Sequence, residues 1–356
     1  MIHVIEPTLS SEAGHCSSLV GALSQANIAK NPMQLWMDRS ASMKFDSAIE
    51  PRRHFIRWLR RPQSFLLFRR LLRQPGKIFV STASLTDLRL FALAAREPVP
   101  PLKAYFYFHW MKPSASKMRR LKHIASSQPN ITIFGSTPTV VHVFQEAGFA
   151  RAQVIPYPIS VRRAGATAHT PEFNHLLFAG AARQDKGFRH IVDLVEYLHA
   201  RRASIRIKVQ VSGAHFGKYD AETLADIKRL NAIQYPYLEC LTETLTVTEY
   251  EALFVNAIAL QLYRRADFLD RISGVTLDAF SGGCPVVTTA QTWMARMVDR
   301  FDAGLATAET TPAHIVTQIE QIIGHYHRYA TNAASAGRIL QQEHCASALY
   351  EALTHD

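Results

Sequence analysis

The chain of 356 residues is long for one domain and suits two of roughly 150–200 residues each. Hydrophobic residues at 47% and charged residues at 19% exclude a disordered chain, and the most apolar windows, 65–68 and 91–95, fall far short of the ~20 residues a spanning helix needs. The net charge of +11 is uneven: residues 1–155 carry 21 Lys and Arg against 8 Asp and Glu, and residues 156–356 carry 19 against 21, which predicts an anionic partner for the first half.

Short apolar runs alternate with amphipathic stretches, the pattern of β-α-β units around a parallel sheet. In the first half strands are predicted at 2–5, 34–37, 77–80, 103–108, 131–134 and 153–155, with helices from near Cys16, over 85–95 and over 139–147. Pro156-Tyr157-Pro158 then opens a polar stretch running to Pro171, read as a hinge because each proline disfavours helix in the residue before it. The second half starts again, with strands at 175–178, 205–211, 237–240, 257–262, 285–288 and 304–306. Helices are predicted between them at 188–199, 221–232, 247–254 and 273–281, and at the end over 313–323 and 329–353. The reading is α/β: two doubly wound, Rossmann-like domains, 1–155 and 172–335, joined by a hinge over 156–171. A C-terminal helix, 336–356, is expected to pack back on the first domain.

Cys16, Cys240, Cys284 and Cys345 are scattered, with no C-x-x-C, so neither a zinc site nor a disulfide framework is predicted and a reducing cytoplasm is the expected setting. The opening MIHVIEPTL lacks a basic leader followed by a long apolar stretch, so no signal peptide is expected.

Ligands of open α/β sheets bind at the carboxyl ends of strands, where loops lead into helix N-termini. Residues 263–287 read YRRADFLDRISGVTLDAFSGGCPVV. An apolar strand ends, Tyr263 and a polar loop follow, and Ser273-Gly274-Val275 opens a helix whose free amides and dipole suit a phosphate. Gly274, without a Cβ, permits close approach. Asp270 lies in the loop before this helix and Asp278 about one turn inside it. Gly282-Gly283 then ends the helix before a Pro285-Val286-Val287 strand.

This segment resembles the nucleotide-sugar site of family 4 and related retaining GT-B glycosyltransferases, whose signature is two glutamates separated by seven residues, an Ala, a Gly and a Pro-Val-Val strand. Asp270, Asp278, Ala279, Gly283 and Pro285-Val286-Val287 stand at the matching positions, with Asp at both places where the family has Glu; the Arg271-x-Ser273-Gly274 variant occurs in a subset of that family. The resemblance implies a GT-B fold, two Rossmann-like domains facing a central cleft, and a hexosyltransferase-type activity on a nucleotide diphosphate sugar with retention. Residues 176–187, LLFAGAARQDKG, are similar to the family's G-R-x-x-x-x-K-G segment: Lys186 and Gly187 match, Ala181 replaces the arginine, and Arg183 is a substitute from another angle. Lys186 and Arg183 would neutralise the diphosphate, Asp278 would hold the ribose, and Asp270 and His109 would position the sugar. His109 ends the strand Ala104-Tyr105-Phe106-Tyr107-Phe108, where family members often carry a histidine. The first turn, PTLSSEAGH, resembles the family's glycine-bearing loop through Gly14 and His15.

Residues 51–77 carry nine Lys or Arg and no acid, interleaved with Phe55, Ile56, Trp58, Leu59, Phe65, Leu66, Leu67 and Phe68, and residues 112–122 add five cations. Such a stretch fits a helix lying in the headgroup layer, which predicts a peripheral place on the inner face of the plasma membrane. No RNP pattern, zinc finger or helix-turn-helix supports nucleic acid as the anion. No D-x-D motif is present, so neither a metal nor another cofactor is expected, and the acceptor that fits the basic domain is a lipid-linked intermediate of surface polysaccharide synthesis. The absence of G-x-G-x-x-G after either first strand disfavours a dehydrogenase. A sugar-nucleotide epimerase and a non-catalytic membrane-associated subunit remain as alternatives.

Overall fold

The computed structural model describes residues 1–10, 15–29, 31–41, 49–159, 172–211, 219–243 and 245–354. The chain divides into two units, Met1–Val161 with Glu343–Asp356, and Arg162–Gln342.

In chain order the first unit runs β1 (Ile2–Glu6), α1 (His15–Ala26), β2 (Met33–Asp38), β3 (Ile49–Phe55), α2 (Arg60–Leu71), β4 (Lys77–Val80), α3 (Leu85–Ala95), β5 (Ala104–Phe108), α4 (Ala115–Ser127), β6 (Thr132–Gly135), α5 (Pro138–Glu146) and β7 (Ala152–Val154). Among the described residues its strands form one sheet, all parallel, in the order β3-β2-β1-β4-β5-β6-β7. Helices on a sheet bury it on both faces, which is why β5, AYFYF, is apolar without alternation and buried along its whole length. Phe106 of β5, Phe91 of α3 and Phe68 of α2 interlock edge to face, at 5.2 Å and 5.4 Å, within this core. The start of α3 is fixed by a capping box between Ser84 and Asp87.

The second unit runs β8 (His175–Phe178), a one-turn 3-10 helix (Gln184–Lys186), α6 (Phe188–Ala200), β9 (Ile207–Gln210), α7 (Ala221–Ala232), β10 (Leu238–Leu241), α8 (Val247–Ala252), β11 (Ala257–Gln261), α9 (Arg265–Phe268), α10 (Gly274–Ser281), β12 (Val286–Thr289), α11 (Trp293–Phe301), β13 (Gly304–Thr307), α12 (Pro312–Gly324) and α13 (Tyr326–Glu343). Its parallel sheet has the order β10-β9-β8-β11-β12-β13. Both sheets reverse direction of travel once, between β1 and β4 in the first and between β8 and β11 in the second. These are the switch points at which doubly wound folds open a crevice.

Two expectations are corrected. Residues 51–77 are not one interfacial helix: they divide into the edge strand β3, the helix α2 and the start of β4. Phe55, Leu67 and Phe68 turn into the core, while Trp58 and Leu66 stay 79% and 62% exposed. The strand escaped the sequence reading because an edge strand faces solvent, so Glu50-Pro51-Arg52-Arg53 reads as a loop; proline is tolerated there because the edge lacks one row of ladder bonds. The final helix is also not continuous over 329–353. It breaks at 344–346, and α14 (Ser347–Thr354) follows, with the Tyr350 hydroxyl accepting from Asn31 in the first unit at 2.6 Å. His344, in the break, meets the Tyr157 carbonyl through Nδ1 at 2.8 Å.

Candidate functional site

The second switch point gathers the charged residues of two loops. After β8 the chain turns at Gly180, whose φ of +95° no side chain adopts easily and whose hydrogen-side face lies 2.8 Å, measured to an ideal Cβ, from the Lys186 ammonium. The Gly180 amide donates to Gln210 at 2.6 Å, tying this turn to the neighbouring strand β9. Lys186 closes the 3-10 turn, and Gly187 follows in the left-handed region at φ +72°, with the Leu262 carbonyl 1.9 Å from where a Cβ would stand. Sequence LLFAGAARQDKG therefore folds this way because two glycines let the backbone pass where side chains could not.

Lys186 sits half-buried, its ammonium 5.7 Å from the Tyr263 ring centroid and within the field of Arg183, Asp185, Arg271 and Asp278. Burial foremost, then the Arg183 charge, pushes its pKa down to about 8, against the pull of Asp185. Arg183 holds Asp185 in a bidentate pair, Nε donating to Oδ1 at 2.8 Å and Nη2 to Oδ2, and Arg271 approaches the same carboxylate at 3.9 Å. Burial alone would raise the Asp185 carboxyl; the Arg183 hydrogen bonds and nearby cations hold it below its ordinary value. The Arg271 guanidinium lies over the Phe268 ring at 4.9 Å. Tyr263, 1% exposed, forms the floor.

On the other loop, Ser273 caps α10 by accepting from the Thr276 amide at 3.3 Å, leaving the amides of Gly274 and Val275 at the open end of the helix. An ideal Cβ on Gly274 meets nothing within 4 Å, so this helix start faces open space. Val275 leans over Gly180, 3.6 Å from its ideal Cβ. The position of α10 is fixed from beneath: buried Thr276 donates to Gln261 Oε1 at 2.6 Å, and buried Thr288 donates to the Gln261 carbonyl at 3.1 Å. Asp278 accepts from the Tyr250 hydroxyl at 3.1 Å, a partner from α8 that sequence reading did not find. Asp270 is held through Oδ1 by Arg296 at 2.6 Å, whose Nη1 donates to the Leu269 carbonyl at 2.8 Å, while Oδ2 is buried with no hydrogen-bond partner among the described residues.

The first unit has its own polar cluster at its switch point. Glu6, fully buried at the end of β1, accepts from the Thr8 hydroxyl at 2.6 Å and the Ser81 hydroxyl at 2.8 Å. His109, just beyond β5, meets the Ser81 carbonyl through Nε2 at 3.1 Å and lies between the rings of Tyr107 and Tyr157 at 4.9 Å and 5.0 Å. A carbonyl only accepts, so Nε2 carries the proton. Sequence reading named His109 and missed Glu6, Thr8 and Ser81; the available signal was a lone carboxylate directly after an apolar strand. Gly14 lies outside the described residues, and His15 is described only as the first residue of α1.

No protein-family model and no curated protein matches the sequence. Solved structures match over nearly the whole chain. WaaG, a glycosyltransferase involved in lipopolysaccharide biosynthesis, aligns over 100% of both chains at a TM-score of 0.70 and 13% identity. Anabaena Alr3699/HepE in complex with UDP-glucose covers 99% of this chain and 97% of its own at 0.67 and 15% identity. Sucrose-phosphate synthase from Thermosynechococcus elongatus covers 98% and 96% at 0.69 and 13% identity. With its two parallel, doubly wound sheets, the chain has the fold of these proteins, GT-B.

The lowered Lys186 value gives a prediction of definite sign: a diphosphate held here would bind the ammonium form better, so its affinity should fall as pH rises through about 8, by up to about tenfold per pH unit. Titrating UDP, GDP and ADP at several pH values checks this. Lys186→Arg, charged throughout, should abolish the alkaline fall.

Proposed function

We propose that the chain is a retaining, metal-independent glycosyltransferase that moves a hexose from a nucleoside diphosphate onto a lipid-linked intermediate of surface polysaccharide synthesis. The observation that carries this reading is the convergence of Lys186, Arg183 and Arg271 with the open start of α10 at the switch point of the second sheet. A diphosphate needs cations and amides converging from separate elements, and a leaving diphosphate needs them most. Two of the structural relatives, HepE with UDP-glucose and an E. coli trehalose-6-phosphate protein with UDP-2-fluoro glucose, hold such donors, which supports the same use of the same fold here.

In this reading the bond from the sugar C1 to the diphosphate oxygen breaks while the acceptor oxygen bonds C1, and the acceptor proton passes to the departing phosphate. Lys186, with the Gly274 and Val275 amides, neutralises the charge that develops there. Asp278, held by Tyr250, takes the ribose hydroxyls, and Asp270 is assigned to a sugar hydroxyl. His109, with Nε2 committed to Ser81, is assigned to a sugar hydroxyl as well. The test is release of nucleoside diphosphate from a panel of UDP-, GDP- and ADP-sugars with a lipid extract as acceptor. Conversion of the donor without that release would instead indicate an epimerase.

The acceptor reading rests on the first unit. Trp58 and Leu66 remain exposed beside Arg57, Arg60, Arg61, Arg70 and Arg73, and Leu93 of the adjacent α3 is 66% exposed. No helix among the described residues is long and apolar enough to cross a membrane. Each cation near an anionic surface contributes about 1 kcal/mol, so Arg60→Glu with Arg61→Glu should weaken binding to phosphatidylglycerol vesicles by about tenfold or more. Binding to pure phosphatidylcholine should be weak for both forms. Equal binding of both to anionic vesicles would contradict the assignment.

A further inference from the structure

We infer that Asp185 is an internal counter-anion of the diphosphate site, a carboxylate that the nucleoside diphosphate must displace from Arg183 and that thereby sets how tightly the nucleotide is held. This deepens the donor-site reading and rests on it.

Three observations lead there. First, Arg183 is engaged: both its Nε and its Nη2 donate to the two oxygens of Asp185. A guanidinium presents a given fork edge to one carboxylate or one phosphate at a time, and the Nε–Nη2 edge of Arg183 is taken by Asp185. Second, the same carboxylate lies 3.9 Å from Arg271 and within the field of Lys186, so one acid is shared among three cations that converge from two loops. Third, Asp185 is held in place by its own backbone, whose carbonyl accepts from the Arg264 amide at 2.9 Å, between the adjacent cations Arg183 and Lys186 of the same short turn. The carboxylate is thus carried by a turn whose backbone is tied to the start of the other loop.

The physical consequence follows from charge. Without a ligand, burial first and then the nearby Arg183 charge disfavour the charged forms of Lys186 and Arg271, and the Asp185 carboxylate opposes that effect at both. When a diphosphate enters, its larger charge takes over the cations, and the Asp185 carboxylate, now beside an anion, disfavours the complex. A nucleoside diphosphate left after transfer is therefore bound less tightly than the cations alone would hold it. Fast release of that product is the use of such a residue, because release rather than chemistry limits many enzymes.

Calorimetric titration of UDP, GDP and ADP into wild type, Asp185→Asn, Asp185→Glu, Arg183→Ala and the double variant Arg183→Ala with Asp185→Asn tests this. Asp185→Asn should bind the preferred nucleotide about tenfold tighter, the weight of one charge-assisted hydrogen bond in a partly exposed site. Asp185→Glu keeps the charge and should bind within about twofold of wild type. The gain should vanish in the double variant, because it comes from freeing Arg183. Wild-type binding with no gain in Asp185→Asn, or a gain that persists without Arg183, overturns the inference while leaving the donor site standing. Folded wild type and Asp185→Asn that both ignore all three nucleotides overturn the donor reading and the inference together.

Discussion

Lys186→Ala should lower kcat/KM for the sugar nucleotide by about 10²–10³, the usual loss when one preorganised group facing developing negative charge is removed. The effect should exceed that of Arg183→Ala, because Arg183 already spends its fork on Asp185 whereas the Lys186 ammonium is held by the Gly180 turn and the Tyr263 ring. It should also fall on kcat more than on KM, since the charge on the leaving diphosphate is greatest as the bond breaks. Steady-state kinetics with the donor identified from the panel checks both points. An alanine variant with unchanged kcat would remove Lys186 from the chemistry.

Gly187→Ala should be the most destabilising small substitution near the site. The left-handed backbone costs a non-glycine residue about 1–2 kcal/mol, and the new methyl would stand 1.9 Å from the Leu262 carbonyl, so the turn must also move. A total near 3 kcal/mol lowers the melting temperature by roughly 10 °C in a unit of this size. Gly274→Ala, whose added carbon meets nothing within 4 Å, should leave the melting temperature within about two degrees of wild type. Thermal unfolding of the two variants side by side separates a glycine required by the backbone from one placed at an open helix start.

The doubly wound fold was legible because its strands are buried on both faces and read as apolar runs; 77–80 and 175–178 coincide with β4 and β8. The edge strand β3 was not, because its outward residues are charged and its alternation carries no apolar signal. The loops that supply Lys186 and Ser273 and lead into the helix carrying Asp278 were visible as polar segments after apolar strands. Their partners were not, since a sequence shows spacing and not contact: Tyr250 reaches Asp278 across 28 residues, and Ser81 reaches Glu6 across 75. The Arg183–Asp185 fork is local, yet it too was hidden, because two residues apart in a 3-10 turn and two apart in a strand place side chains very differently.

The central claim is that the second unit binds a nucleoside diphosphate at the switch point between β8 and β11. Calorimetric titration of the wild-type chain with UDP, GDP and ADP tests it most directly. One of the three should bind at one equivalent per chain, with a dissociation constant between about 1 μM and 1 mM, in the range of substrate constants of such enzymes. A chain that unfolds cooperatively on heating, and is therefore folded, but gives no heat with any of them would contradict the account.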